Sequence, residues 1–312
     1  MSSYLIMPIR SFVAIWPLFA GLSFIGLAIG VQGSLLGVRA ALEGFDDILI
    51  GLVMSCYFAG FLAGSLLTPR MIQRVGHIRI FAALTAVASV SILVHALVID
   101  PWVWALMRLI TGFAFSAIYV VSESWLNQSA TNTNRGQVLS VYTTILLVGI
   151  CAGQFMLNIA DPSGFTLFIL ISVMVSVAAV PILLSVVQTP PIEEVERVTM
   201  RHLWYRTKVG VIAIIMSQFV SSIVFSMGAV YVTRLGFAAY EVANFMGALM
   251  AGGMFLQWPL GKLSDSIDRR WVMGFSCLLG VFIAILISFI DEASGWLYGL
   301  VFLFGGCALS LY

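Results

Sequence analysis

Charge is what this sequence has least of. Only 9% of its 312 residues are Asp, Glu, Lys or Arg, while 61% are hydrophobic; soluble domains sit nearer a quarter and a half. So little charge cannot coat a soluble core, and the composition implies a polytopic membrane protein. No basic cluster is interleaved with aromatics, which excludes nucleic acid as a partner. Cysteine is scarce too. Cys56, Cys151, Cys277 and Cys307 all fall in apolar runs and form no C-x-x-C pair, so they read as small fillers facing lipid or core. No His, Cys or carboxylate cluster has metal-ligand spacing, so neither metal nor cofactor is expected.

Carboxylates are absent from the middle of every apolar run, and Glu123 stands only at a rim. Proton-driven carriers commonly use a buried carboxylate. The residues present therefore do not support proton coupling, and a proton or another ion is left open as a coupling partner. Nor is a cleavable leader expected. The first apolar run, Phe12 to about Ser34, exceeds the ~7–15 residues of a signal core and has no A-x-A site.

What is present is a series of apolar runs near the ~20 residues a membrane helix needs. They cover 12–34, 48–68, 80–99, 102–124, 138–160, 165–187, 209–233, 241–260, 271–290 and 295–312. Backbone groups in lipid must pair within their segment, so all are expected to be helices. The fold class expected is all-α, with nine complete spans and part of a tenth. Loop Lys and Arg set the orientation. With the N-terminus in the cytoplasm, twelve lie inside: Arg10, Arg70, Arg74, Arg79, Arg135, Arg197, Arg201, Arg206, Lys208, Lys262, Arg269 and Arg270. Two, Arg39 and Arg234, lie outside among the acids. Arg108 is the one basic residue left inside a span.

Span starts recur about 193 residues apart, as Ile48 against Glu241 and Trp102 against Gly295 show. Acids precede spans two and eight, and basic turns follow both, "PRMIQRVGHIR" and "GKLSDSIDRR". This predicts parallel repeats: a six-helix bundle over 1–188, a cytoplasmic linker over 189–208, and a second bundle over 209–312. Equal halves would end near roughly residue 381, so the rest of span ten and two further spans are expected beyond Tyr312.

"GKLSDSIDRR" resembles the loop signature of the major facilitator superfamily through Gly261, Asp265, Arg269 and Arg270. Asp268 stands where that signature has a second glycine. The first-half copy matches at Arg74, Gly76 and Arg79, with Pro69 and Gln73 in place of the glycine and aspartate. "RLITGFAFSA" resembles the family's Arg-x-x-x-Gly pattern through Arg108 and Gly112, and "SESWLNQ" with "NRGQVLSVY" is similar to a little-characterised bacterial subgroup. The resemblance implies a monomeric carrier in a bacterial inner membrane, in contact with lipid, moving a small-molecule solute by alternating access, not an enzyme. A transporter-like sensor or scaffold is the alternative, with a membrane-embedded enzyme behind it.

Gating is expected at the inner ends. Gly261 would permit a tight turn and close helix approach. Asp265 would meet Arg135 and the start of span five, and Arg269 and Arg270 would reach Glu123. Solute contacts are expected from Arg108, since charge within a membrane is costly and usually functional. Gln154 and Asn158, four apart, would share a face. Gln32, Tyr142, Gln218 and Gln257 are further polar candidates in spans. His95 reads as a membrane-interface residue. Glycines four apart, Gly26 with Gly30, Gly33 with Gly37 and Gly60 with Gly64, predict close helix contacts.

Overall fold

The computed structural model describes residues 9–131, 134–185, 207–290 and 292–309. Every regular element among them is helical: α1 (Ile9–Leu42), α2 (Asp47–Val75), α3 (His77–Leu97), α4 (Pro101–Ser129), α5 (Arg135–Phe155), α6 (Thr166–Ala178), α7 (Val180–Leu184), α8 (Lys208–Arg234), α9 (Ala239–Ser266), α10 (Arg269–Ile287) and α11 (Gly295–Leu309). Among the described residues eight stretches are long and apolar enough to cross a membrane, with α6 and α7 forming one of them, Thr166–Leu184. The linker expected over 189–208 falls almost wholly outside the described residues.

Acids start several of these helices. Asp46 accepts from the Ile48 amide at 3.1 Å, and Asp100 accepts from the Trp102 and Val103 amides at 2.9 and 3.0 Å. Each supplies a partner for N–H groups that the first helical turn leaves free. Both basic "turns" are shorter than the sequence predicts. α2 runs through Pro69 to Val75, and Gly76, at φ 90°, alone makes the corner into α3. Likewise α9 continues to Ser266, and Asp268 caps α10 through the Arg270 amide at 3.0 Å. Flanking charges do not stop a helix that keeps its backbone paired once it leaves the lipid.

Close helix crossings organise the packing. A side chain at Gly60 would overlap the Leu109 carbonyl, and one at Gly112 would overlap the Tyr57 carbonyl, locking α2 to α4. The same reciprocal pair recurs between α9 and α11. Gly252 faces the Phe302 carbonyl, and Gly305 faces the Leu249 carbonyl. Both glycines lie about 193 residues after their counterparts, the spacing read from the span starts. Gly26 and Gly30 cross α5 at Gly149 and Gly153, while Gly33 and Gly37 face Phe225, Ala229 and Val230 of α8. α1 is the central rod, with 78% of its best apolar window buried.

Candidate functional site

One end of the molecule carries Leu42, Asp47 and Arg234; the other carries Val75, Arg135 and Lys262. At the first end the chain's two halves are clamped. Arg234, at the last turn of α8, donates from Nε to Asp47 at 3.0 Å and from Nη2 to the Phe45 carbonyl at 2.7 Å. Beneath it Gly33 and Gly37 admit Phe225 and Val230 against α1, and Gly247 of α9 admits Phe155 of α5. Arg39 is buried, pairs with Glu43 at 2.6 Å and donates to the Pro162 carbonyl at 3.4 Å. In the same turn, hydrogen bonds from Ser163 hold the Asp161 carboxyl below the usual carboxylate range.

Toward the other end α5 and α9 part. A void of about 840 Å³ opens between Ser140, Thr143 and Thr144 on α5 and Gln257, Trp258, Gly261 and Lys262 on α9. A deeper cavity of about 270 Å³ adjoins it, sharing Leu147, Met254 and Gln257. Its walls include Phe58 of α2, Ile150 of α5, Gln218, Ser221, Ser222 and Phe225 of α8, and Leu309 of α11. A concave, mainly apolar space with a few convergent polar groups is the form a small-solute site takes.

The predicted solute residues divide. Gln218 and Gln257 line the deep cavity. Arg108, Gln32, Gln154, Tyr142 and Asn158 line neither cavity. Arg108 is buried, lies 4.4 Å above the Tyr57 ring and leaves Nε without a partner. Gln154 accepts from the Ser34 hydroxyl, and its Nε2, like that of buried Gln32, is unpartnered. Gln154 and Asn158 do not share a face. The α-helix ends at Phe155, the chain tightens into a 3₁₀ turn over Met156–Asn158, and Asn158 is exposed. His95, two residues before the end of α3, is buried, bonded at 2.7 Å to the Ser91 carbonyl and set edge-on to Trp104.

The predicted gating residues also scatter. The side chains of Asp265 and Arg269 lie outside the described residues. Gly261 sits within α9 with open space around it, so it marks neither a turn nor a close approach. Arg74, Arg135 and Arg270 are exposed, and Gly76 is the α2–α3 corner. Glu123 accepts from the Tyr142 hydroxyl at 3.1 Å. Among the described residues the two ion pairs are Arg39–Glu43 and Arg234–Asp47, both at the clamped end. The sequence reading passed over Phe58, Ser221, Ser222 and Phe225. The paired serines inside the apolar run "FVSSIVF" were the available signal.

Relatives fit this architecture. The family model described as Major Facilitator Superfamily matches residues 13–312. An uncharacterized MFS-type transporter, YcaD, of Escherichia fergusonii is 27% identical over 297 residues, covering 95% of this chain and 77% of its own. One from Enterobacter sp. (strain 638) is 28% identical over 301 residues, with the same coverage. Among solved structures, a bacterial homolog to the human lysosomal transporter Spinster, inward-facing and occupied, aligns with a TM-score of 0.77 at 15% identity, over 98% of this chain and 74% of that one. The nucleoside transporter NupG aligns at 0.70 and 12% identity, over 98% and 80%. Matched by its family model from residue 13 to residue 312, this all-helical chain belongs to the Major Facilitator Superfamily.

Proposed function

We propose that this membrane transporter moves a small organic solute across a bacterial inner membrane by alternating access, with its N-terminus in the cytoplasm. The moving parts are the bundles 1–188 and 209–312, tied by the segment 189–208. The observation that carries this reading is the cavity lined from both halves by Phe58, Ile150, Gln218 and Ser222, clamped at the Arg234 end and widening toward Lys262. In the opposite state the Arg234–Asp47 contact breaks. The inner ends then close through Asp265, Arg269 and Arg270 of the second half against Arg135 and Glu123 of the first, with Arg74 at the Gly76 corner. Arg108, Gln32 and Gln154 carry buried donors without partners, and such groups call for one. Gln32 of α1 and Gln154, bonded to Ser34 of α1, meet solute once α1 and α8 separate.

The test is flux in proteoliposomes loaded with a mixture of neutral, anionic and cationic organic solutes, read by mass spectrometry. Saturable efflux of at least one component above empty liposomes is expected. Asp265→Lys should lower it at least about fivefold while inserting normally, since breaking a charge-assisted contact biases two states by ~1–3 kcal/mol. Binding without flux of any component would instead favour a transporter-like sensor.

A further inference from the structure

The polar atoms of the two cavities have a consistent sense. Five hydroxyls stand in their walls, and each donates its proton to a backbone carbonyl. Ser140 gives to Gly136 at 2.8 Å, Thr143 to Leu139 at 3.0 Å and Thr144 to Ser140 at 2.8 Å. Ser221 gives to Ala308 at 3.2 Å and Ser222 to Gln218 at 2.6 Å. A hydroxyl whose proton is spent still offers lone pairs, so the wall presents acceptors. The carboxamides of Gln218 and Gln257 have no protein partner among the described residues and are free to donate or accept. Phe58 and Phe225 flank them from opposite halves, and Met250 and Met254 add polarisable surface.

Ionisable groups are nearly missing. Among the described residues Lys262, at the mouth of the wider void, is the one charged side chain in either wall, and no Asp or Glu lines them. A permanent cation entering the deep cavity would lose water and find no counter-ion. A carboxylate or phosphate would face lone pairs. A molecule with O–H or N–H groups would satisfy the acceptors at no charge cost. Resting on the transporter reading, we propose that the deep cavity selects an uncharged amphipathic solute bearing hydroxyl or N–H donors. Its polar edge meets Ser221, Ser222, Gln218 and Gln257, and its apolar face lies between Phe58 and Phe225.

The experiment is substrate protection of a cysteine. Leu147→Cys, in the wall shared by both cavities, is introduced with Cys56, Cys151, Cys277 and Cys307 changed to alanine, and purified protein in nanodiscs is labelled with N-ethylmaleimide. Four probes on one scaffold compete: 4-phenylbutanol, its methyl ether, 4-phenylbutanoate and 4-phenylbutylammonium. The alcohol is expected to protect at about fivefold lower concentration than the ether, the worth of one hydrogen bond. It should protect at about tenfold or more below the two ions. Ser221→Ala with Ser222→Ala should shrink the alcohol's advantage over the ether. Protection by either ion equal to the alcohol's, or by none of the four, overturns the assignment. Labelling reads the cavity whether or not the chain transports, so that result would leave the flux test standing. The expected order with no flux would retain the solute class and remove transport.

Discussion

The two ends of the interface between the halves are built differently. At the Arg234 end the basic residues among the described ones are Arg39 and Arg234, and both are in ion pairs. Glycines there let α1 and α8 interlock, with Phe225 filling the space that a side chain at Gly33 would take. At the Lys262 end basic residues are plentiful, yet none is in an ion pair among the described residues. Gly261 there faces open space. Packing and paired charge thus coincide at the closed end, whereas at the open end charge stands without packing beside a cleft. The same loop chemistry that orients a membrane protein is therefore a poor guide to which end is shut.

The largest test of that contrast is steric. Gly33→Leu places a Cβ 2.7 Å from the tip of Phe225. Overpacking of this kind costs ~1–3 kcal/mol, enough to shift the clamped population about fivefold or more. Spin labels at Leu42 and Leu235 should show a longer inter-label distance in this variant. Gly261→Leu, with nothing near it, should change neither that distance nor stability by more than ~0.5 kcal/mol. Equal responses would erase the distinction between the ends.

Charge reversal comes next. Arg234→Glu removes the Asp47 pair and the Phe45 carbonyl bond and sets two carboxylates side by side. The pair is substantially exposed, so about 1–2 kcal/mol of bias is expected in all. Adding Asp47→Arg should restore the ion-pair part only, because glutamate cannot donate to the Phe45 carbonyl. Full recovery of the label distance would show that the carbonyl bond contributes nothing.

Much of this molecule was readable from the chain alone, and what was missed has physical reasons. Span number and order follow from apolar runs, since lipid leaves the backbone no alternative to the helix. Glycine spacing identified the crossings Gly26–Gly30 and Gly60–Gly64 because close approach needs small residues at helical period. Helix ends were less legible. The runs ended at 34 and 68, while α1 and α2 continue to Leu42 and Val75; hydropathy reports where lipid stops, not where the helix does. In the sequence, a polar residue in apolar surroundings is the signal for solute contact. That criterion cannot separate Gln257, which faces a cavity, from Gln154, which Ser34 holds within the bundle. It also passes over Phe58 and Phe225, which look like any core aromatics until two halves are seen to meet there.

A smaller effect is expected at the Lys262 end. Tyr142→Phe loses the hydroxyl bond to Glu123 at 3.1 Å. A single such bond is worth ~0.5–1.5 kcal/mol, so the melting temperature should fall by about 1–5 °C. The Leu42–Leu235 label distance should not move. A shift there would mean that the two ends are coupled through α5, which carries both Tyr142 and Phe155.

The smallest expected effect is that of salt, and its sign separates charge from packing. Raising KCl from about 0.1 to 1 M shortens the screening length from ~10 to ~3 Å. The Arg234 and Asp47 side chains are 41% and 66% exposed, so their attraction is screened and the clamp should loosen by a few tenths of a kcal/mol. In Arg234→Glu the interaction at that place is repulsive, and the same salt should tighten the clamp. Packing of Phe225 against Gly33 carries no charge and should respond alike in both proteins. Opposite shifts of the label distance would therefore assign the electrostatic share of closure to this one contact. Shifts of the same sign, or none in either protein, would assign closure at this end to the helices alone.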